Sequence, residues 1–404
     1  MRGFSTLFYL VLAACIVSCS DVETPASGTL APVELPTGAD IAGPRFSTGA
    51  DGQLVLSWME TDESATTLKY SPLVHGQFSS VVDVVTEPQA FVNWADLPSV
   101  MPLGSDHWIA HWLRYSAEGT YSYDVVISQS FDGGNTWGEA MTPHTDGTPT
   151  EHGFVSITPG ADGAALLWLD GRNTPEASMT LRSAVITPDG RRTREQLVDA
   201  SVCDCCQTDV AIAASGPIAV YRDRTSEEVR DIYVTRYIDG QWAPGVSLFA
   251  DNWTIAGCPV NGPSIVADGE YVAVAWFTAA HDKPVVRVVT SIDGGATFGV
   301  PAEIASGRIH GYVGLAMIDA GNVAVSWVGR NEDGSNAVLL RQLSSDGRLG
   351  PTVELGWTRQ LRVFPQLAYA DGYLYAVWTD DGDDGRRMKS VRVPVTVSRR
   401  NQSS

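Results

Sequence analysis

The chain has 404 residues, 44% hydrophobic and 18% charged. That is enough apolar material for a sizeable core and argues against wholesale disorder. Lysine and arginine number 27 against 47 aspartates and glutamates, a net charge of −20, which argues against a nucleic-acid role because phosphate binding needs a basic face. The 39 glycines, 22 prolines and 12 tryptophans point to many turns and to aromatics used repeatedly.

Arg2 gives a short positive start, and Phe4 to Val17 is nearly all apolar, too short to span a membrane comfortably. The stretch ends in Ile16-Val17-Ser18-Cys19, which resembles the bacterial lipobox. That resemblance implies cleavage after residue 18 and lipidation of Cys19; residues 1–19 are taken as the signal segment. Leu12-Ala13-Ala14-Cys15 also fits, with a shorter apolar core, and an ordinary secretory signal is the remaining alternative. Ser20 to Pro32 is rich in Ser, Thr, Pro and Gly, and residues 20–29 read as a flexible tether. Asp21 resembles an inner-membrane retention signal. The expectation is a monomer in the bacterial cell envelope, facing the periplasm or outward and touching the membrane through its lipid only.

From residue 30 to 397 one unit repeats. Alternating apolar residues end in an aromatic at Trp58, Trp112, Trp168, Tyr221, Trp276, Trp327 and Trp378, as in Val272-Ala273-Val274-Ala275-Trp276. A regular period slightly above 50 fits one four-stranded blade of a β-propeller, and seven copies predict an all-β fold of seven blades. Leu30-Ala31-Pro32-Val33-Glu34-Leu35 is similar to Gly350-Pro351-Thr352-Val353-Glu354-Leu355. It is therefore expected to supply the fourth strand of the last blade, closing the ring. Residues 398–404 are a tail.

A second series runs in step. Ser128-Gln129-Ser130-Phe131-Asp132-Gly133-Gly134-Asn135-Thr136-Trp137 and Ser291-Ile292-Asp293-Gly294-Gly295-Ala296-Thr297-Phe298 are near copies, with weaker versions at Asp189-Gly190, Asp239-Gly240 and Asp346-Gly347. Asp bonds nearby backbone, Gly takes positive φ, and the aromatic packs under the turn. The strong copies resemble the Asp-box, or BNR repeat, of the sialidase superfamily. In that family the motif is structural, lies away from the active centre, and usually accompanies six blades; six is thus the alternative count.

In a propeller the first strand of each blade lines the axis, so the segments entering those strands carry the candidate site: Arg45, Asn93, Asp96, Glu151, His152, the run Cys203-Asp204-Cys205-Cys206, Cys258, Arg308, His310, Tyr312, Arg359 and Arg362. The resemblance implies an exo-α-sialidase-type glycoside hydrolase. Such an enzyme clamps the substrate carboxylate with three arginines and attacks with a Tyr activated by a Glu, an Asp serving as acid/base. Gly43-Pro44-Arg45-Phe46 resembles the family's first-arginine motif, so Arg45 carries over. Asp96, Arg222, Glu228, Arg308, Tyr312 and Arg362 are the right types at inner or near-inner positions. A carbohydrate or other anionic small ligand is the expected partner. The alternatives are a non-catalytic binding or assembly module, or a propeller with a Cys/His metal or redox site at the axial mouth.

Four cysteines remain after Cys19. Cys203 and Cys258 precede their blades' aromatics by the same distance, which predicts one cluster at the mouth between the fourth and fifth blades. Four exported cysteines suggest disulfides. Adjacent Cys205 and Cys206 bridge only through a strained ring, so one of them with Cys258 is the easier pairing. No cofactor is expected. If the sulfurs are not bonded to each other, Cys203, Cys205, Cys206 and Cys258 with His152 and His310 form a set that accepts copper or zinc, His152 being the nearer extra ligand. Arg222, Asp223, Arg224, Glu227, Glu228, Arg230 and Asp231 read as a charged shelf, either self-satisfied or offering one Arg to an anion. Asn252-Trp253-Thr254 matches a glycosylation sequon, set aside because the lipobox implies a bacterium.

Overall fold

A computed structural model describes residues 30–395 except 36, 39, 50, 63, 64, 161, 194 and 384. Cys15, Cys19, Asp21, the tether and the tail lie outside the described residues.

Seven antiparallel sheets are arranged around one axis. Their inner strands are Ile41–Thr48, Ser99–Pro102, His152–Gly160, Asp209–Ala213, Ser264–Asp268, Ile309–Asp319 and Gln366–Ala370, in blades one to seven. Each pairs with a second strand that carries the repeated aromatic. Five blades complete four strands in chain order. Blade two has three, with an isolated Ile127–Met141 bridge in the fourth place. Blade seven takes its outer strand from the N-terminal side: Ala31 pairs with Arg392 and Pro32 with Val391, and Ser390 Oγ donates to the Val33 carbonyl at 2.6 Å. The expected ring closure is therefore observed, with blade seven's outer edge covered.

The repeated pattern follows from packing. A second strand is sandwiched between the two neighbouring blades, so both of its faces must be apolar; Val272, Ala273, Val274, Ala275 and Trp276 are all fully buried. Five of the seven repeated aromatics also find an acceptor for their N–H or O–H among the described residues, whereas the Trp327 and Trp378 nitrogens do not. Trp112 donates to Glu87, Trp168 to Asp170 and Trp276 to Asp251 at 2.7–3.1 Å, Trp58 reaches Glu60 at 3.3 Å, and the Tyr221 hydroxyl reaches Asp199 at 2.6 Å.

The two strong turns have nearly identical bonding. Asp132 accepts from the Thr136 amide and hydroxyl, and Asp293 from those of Thr297, while Ser130 and Ser291 each bridge an Asp to a glycine amide. Gly134 and Gly295, at φ near +80 to +90°, provide the backbone form that side chains disfavour. These turns join third to fourth strands. They lie at the far end of the ring from the connections that enter the inner strands, and that other end is the mouth.

Candidate functional site at the axial mouth

Three aromatics from different blades meet at the mouth. Trp94 stacks on Phe364 at 5.7 Å, and Tyr312 meets both edge-on at 5.0–5.9 Å. The Arg362 guanidinium lies over Trp94 at 5.5 Å. Gln207 ties the cluster across the ring: its amide donates to the Ala95 carbonyl and its oxygen accepts from the Gly262 amide. Below runs an axial cavity of about 1050 Å³, from Asp96 and Gln207 down to Gly49, Asp162 and Met317.

Two carboxyls lie in the connections that enter the inner strands of blades two and three. Glu151, part-exposed, accepts the Tyr123 hydroxyl at 2.6 Å. Burial pushes it up to about 7, against that hydrogen bond and helped by the nearby charge of Asp204. Asp96 accepts the Phe154 amide at 2.6 Å, and its other oxygen is buried with no hydrogen-bond partner among the described residues. Burial also pushes Asp96 up to about 7; the Phe154 amide opposes the shift and Glu151 adds to it. Position 153 must be glycine, since a Cβ there would run into the Asp96 carboxylate. The arrangement therefore offers acid/base chemistry near neutral pH at the mouth.

The cysteines lie one blade further round. Asp204 and Cys205 form a turn that brings the flanking Cys203 and Cys206 sulfurs to 2.9 Å. Cys205 is bonded to Cys258, whose sulfur lies 3.6 Å from that of Cys203. Cys203 and Cys258 meet as their shared phase predicts, and Cys205 is the partner that takes Cys258. Burial opposes ionisation of Cys203, but the Cys206 hydrogen bond and the Arg222 and Arg230 charges bring its thiol down to about 6. The Cys206 thiol is pushed up by burial and by its neighbour. Arg230 donates to the Cys203 sulfur at 3.3 Å.

The charged shelf is self-satisfied. Glu228 bridges Arg224 and Arg230 at 2.6–2.8 Å, and Asp204 faces the same two arginines at 3.3–3.4 Å. The side-chain bonds from Arg224 and Arg230 hold Glu228 down to about 2.

The arginines of the expected carboxylate clamp do not converge. Arg45 faces the channel and donates to the Leu97 and Val155 carbonyls. Arg222 is buried and spends four bonds on the carbonyls of Arg230, Asn261 and Phe277. Arg308 is exposed at the edge of blade six, and Arg362 is exposed over Trp94. Nor do Tyr312 and Glu228 pair: Tyr312 packs with Trp94 and Phe364, while Glu228 is held by arginines. The Tyr–Glu pair at this mouth is Tyr123–Glu151, in which Tyr123 is fully buried. Glu151 was legible in the segment entering an inner strand; Tyr123, at the start of a third strand, carried no signal of its own.

His152 and His310 do not join the cysteines. His310 lies within blade six, where burial and the Arg330 charge lower its pKa and Asn336 opposes them. His152 stacks on His144 at 3.9 Å, the two rings lying edge-on between Asp146 and Asp124. His152 Nδ1 also faces the Thr150 carbonyl at 3.2 Å. Asp124, His144 and His152, or Asp146, His152 and Asp170, place donor atoms close enough to hold a metal ion. Among the cysteines the corresponding set is Cys203, Cys206 and Cys258, of which Cys258 is already committed to Cys205.

No protein-family model matches the chain, and no curated protein matches it. Among solved structures, a protein of unknown function from Dyadobacter fermentans is 11% identical with a TM-score of 0.52, over 91% of this chain and 98% of its own. The polysaccharide lyase Uly1 is 10% identical at 0.49, over 90% and 92%. A Trypanosoma rangeli sialidase is 13% identical at 0.42, over 78% and 56%. At these identities the likeness is one of fold.

Proposed function

We propose that the protein is a glycan-active propeller of the bacterial envelope, held by lipid at Cys19, that binds an acidic saccharide at the mouth and cleaves it with Glu151 as proton donor. The observation that carries this reading is the Tyr123–Glu151–Asp96 constellation beside Trp94. A part-exposed carboxyl is positioned by a buried phenol, a second carboxyl stands next to it, and an aromatic face with a guanidinium over it is on the same loop. Sugar rings stack on such faces, and Arg362 is exposed to meet a carboxylate. The reading departs from a sialidase in its arginines, so uronate-containing chains belong in the test beside sialosides.

The test is turnover of sialylated and uronate-containing oligosaccharides, with binding measured separately by calorimetry. Glu151→Gln should lower kcat by about 10²–10⁴-fold and leave binding within a few-fold, and Trp94→Ala should weaken binding. Binding without turnover in the wild type would leave a binding module. Neither binding nor turnover on any acidic glycan would defeat the reading. Cys19→Ala should release the protein to the soluble fraction; retention with lipid label still incorporated would reassign the anchor.

A further inference from the structure

The turn at residues 203–206 sorts its three cysteines by exposure. Cys203 and Cys206 are nearly inaccessible and face each other, whereas Cys205 and Cys258 are half-buried at the mouth. The inner pair holds thiols and the outer pair holds a disulfide, yet the Cys203 sulfur is only 3.6 Å from the Cys258 sulfur. Such proximity is what thiol–disulfide exchange requires, since a thiolate attacks a disulfide sulfur directly. A guanidinium sits on the attacking sulfur: Arg230 is itself nearly fully buried and donates to Cys203 at 3.3 Å.

We propose that the four cysteines form a two-electron relay, in which the buried Cys203–Cys206 dithiol and the mouth-side Cys205–Cys258 disulfide interconvert by internal exchange. In the first step Cys203 thiolate attacks Cys258; the Cys203–Cys258 bond forms, the Cys205–Cys258 bond breaks, and Cys205 leaves with the electron pair. Cys206 passes its proton to Cys205 and attacks Cys203 at 2.9 Å. The Cys203–Cys206 bond then forms and Cys258 leaves as thiolate. No external oxidant or reductant is consumed. The result is a dithiol at the mouth, where a disulfide of a small molecule or protein can accept the reducing equivalents, and a disulfide in the interior. A dithiol arriving at the mouth reverses the traffic. The C-x-x-C spacing of Cys203 and Cys206 closes a small ring across the turn, which suits a bond made and broken repeatedly. This assignment is independent of any glycan activity.

The experiment uses the full mature protein equilibrated in reduced and oxidised glutathione at a series of ratios, quenched in acid, alkylated and mapped by mass spectrometry. At intermediate ratios two one-disulfide isomers should coexist, Cys205–Cys258 and Cys203–Cys206, with both bonds present at the oxidising end. Cys206→Ser should abolish the inner isomer and accumulate the Cys203–Cys258 linkage. Cys203→Ser should leave Cys205–Cys258 alone at every ratio. Far-ultraviolet circular dichroism confirms that each variant keeps its sheets. The relay is overturned if the wild type shows only Cys205–Cys258 with Cys203 and Cys206 as thiols at every ratio. It is equally overturned if the protein carries stoichiometric copper or zinc on four reduced cysteines.

Discussion

The Tyr123 hydroxyl donates to Glu151 at 2.6 Å across the junction of the second and third blades. Tyr123 opens a third strand, whereas Glu151 immediately precedes an inner strand, and an isolated parallel bridge between the two residues fixes their backbones side by side. The hydrogen bond favours the charged form of Glu151 and so works against its burial. Tyr123→Phe should therefore raise the Glu151 carboxyl further above 7 and move the alkaline limb of any activity profile to higher pH. Carbon-13 titration of the Glu151 carboxyl checks the direction without needing a substrate. A Glu151 carboxyl that titrates lower in the variant would show that the phenol does not stabilise its charge.

Asp96 should make the fold less stable as the pH rises through neutrality. Its folded value is about 7, above the ordinary carboxylate range, so the folded state takes up a proton over the interval from about 4 to 7. The stability linked to that proton is fully present at the acid end of the interval and is lost as pH rises through 7. Asp96→Asn keeps an acceptor for the Phe154 amide and removes the titration. Urea unfolding at pH 5 and pH 8 should show the wild type losing on the order of 1–3 kcal/mol more than the variant. Parallel pH dependences in the two proteins would mean that Asp96 ionises freely in the fold.

The seven aromatics appear equivalent in sequence, yet their bonding separates them. Trp276 donates to the buried Asp251, whereas the Trp327 nitrogen has no hydrogen-bond partner among the described residues. Both indoles are at most 2% exposed, so changing either to Phe loses similar apolar contact. Trp276→Phe should cost about 1–2 kcal/mol more than Trp327→Phe, because it strips a donor from a buried carboxylate. Denaturant midpoints at constant m-value measure the difference.

What was legible at the level of sequence follows from what the period can encode. A second strand between two blades must be apolar on both faces, so the blade count could be read from residues 58 to 378 alone. Cys203 and Cys258 share a phase within neighbouring blades, so their meeting was legible too. The arginines were not. Arg45 and Arg222 have the right type and approximate position, but their donors go to backbone carbonyls at blade junctions, and no spacing distinguishes a structural guanidinium from a binding one. His144 was missed because it lies in the connection between blades two and three, outside the repeated pattern, where only the folded chain brings it against His152.

The join between blade seven and the N-terminal segment gives the last prediction. Among the described residues of the N-terminal segment, Ala31 and Pro32 pair with the strand Gly385–Pro394, supported by the Ser390–Val33 bonds and, just beyond, the Arg386–Asp40 ion pair at 3.0 Å. Proline is tolerated there because the segment is the outermost strand and one of its sides needs no donor. Deleting residues 30–35 leaves the other blades intact but exposes the backbone of Gly385–Pro394 as an open edge, a template for pairing with another chain. The deletion should cost about 1–3 kcal/mol, a loss typical of removing a few packed and hydrogen-bonded residues, and should promote concentration-dependent association in light scattering. A synthetic peptide of residues 27–36, added in excess, should bind the deleted protein and suppress that association. Unchanged stability and a monodisperse deleted protein would mean that the segment rests against the ring without closing it.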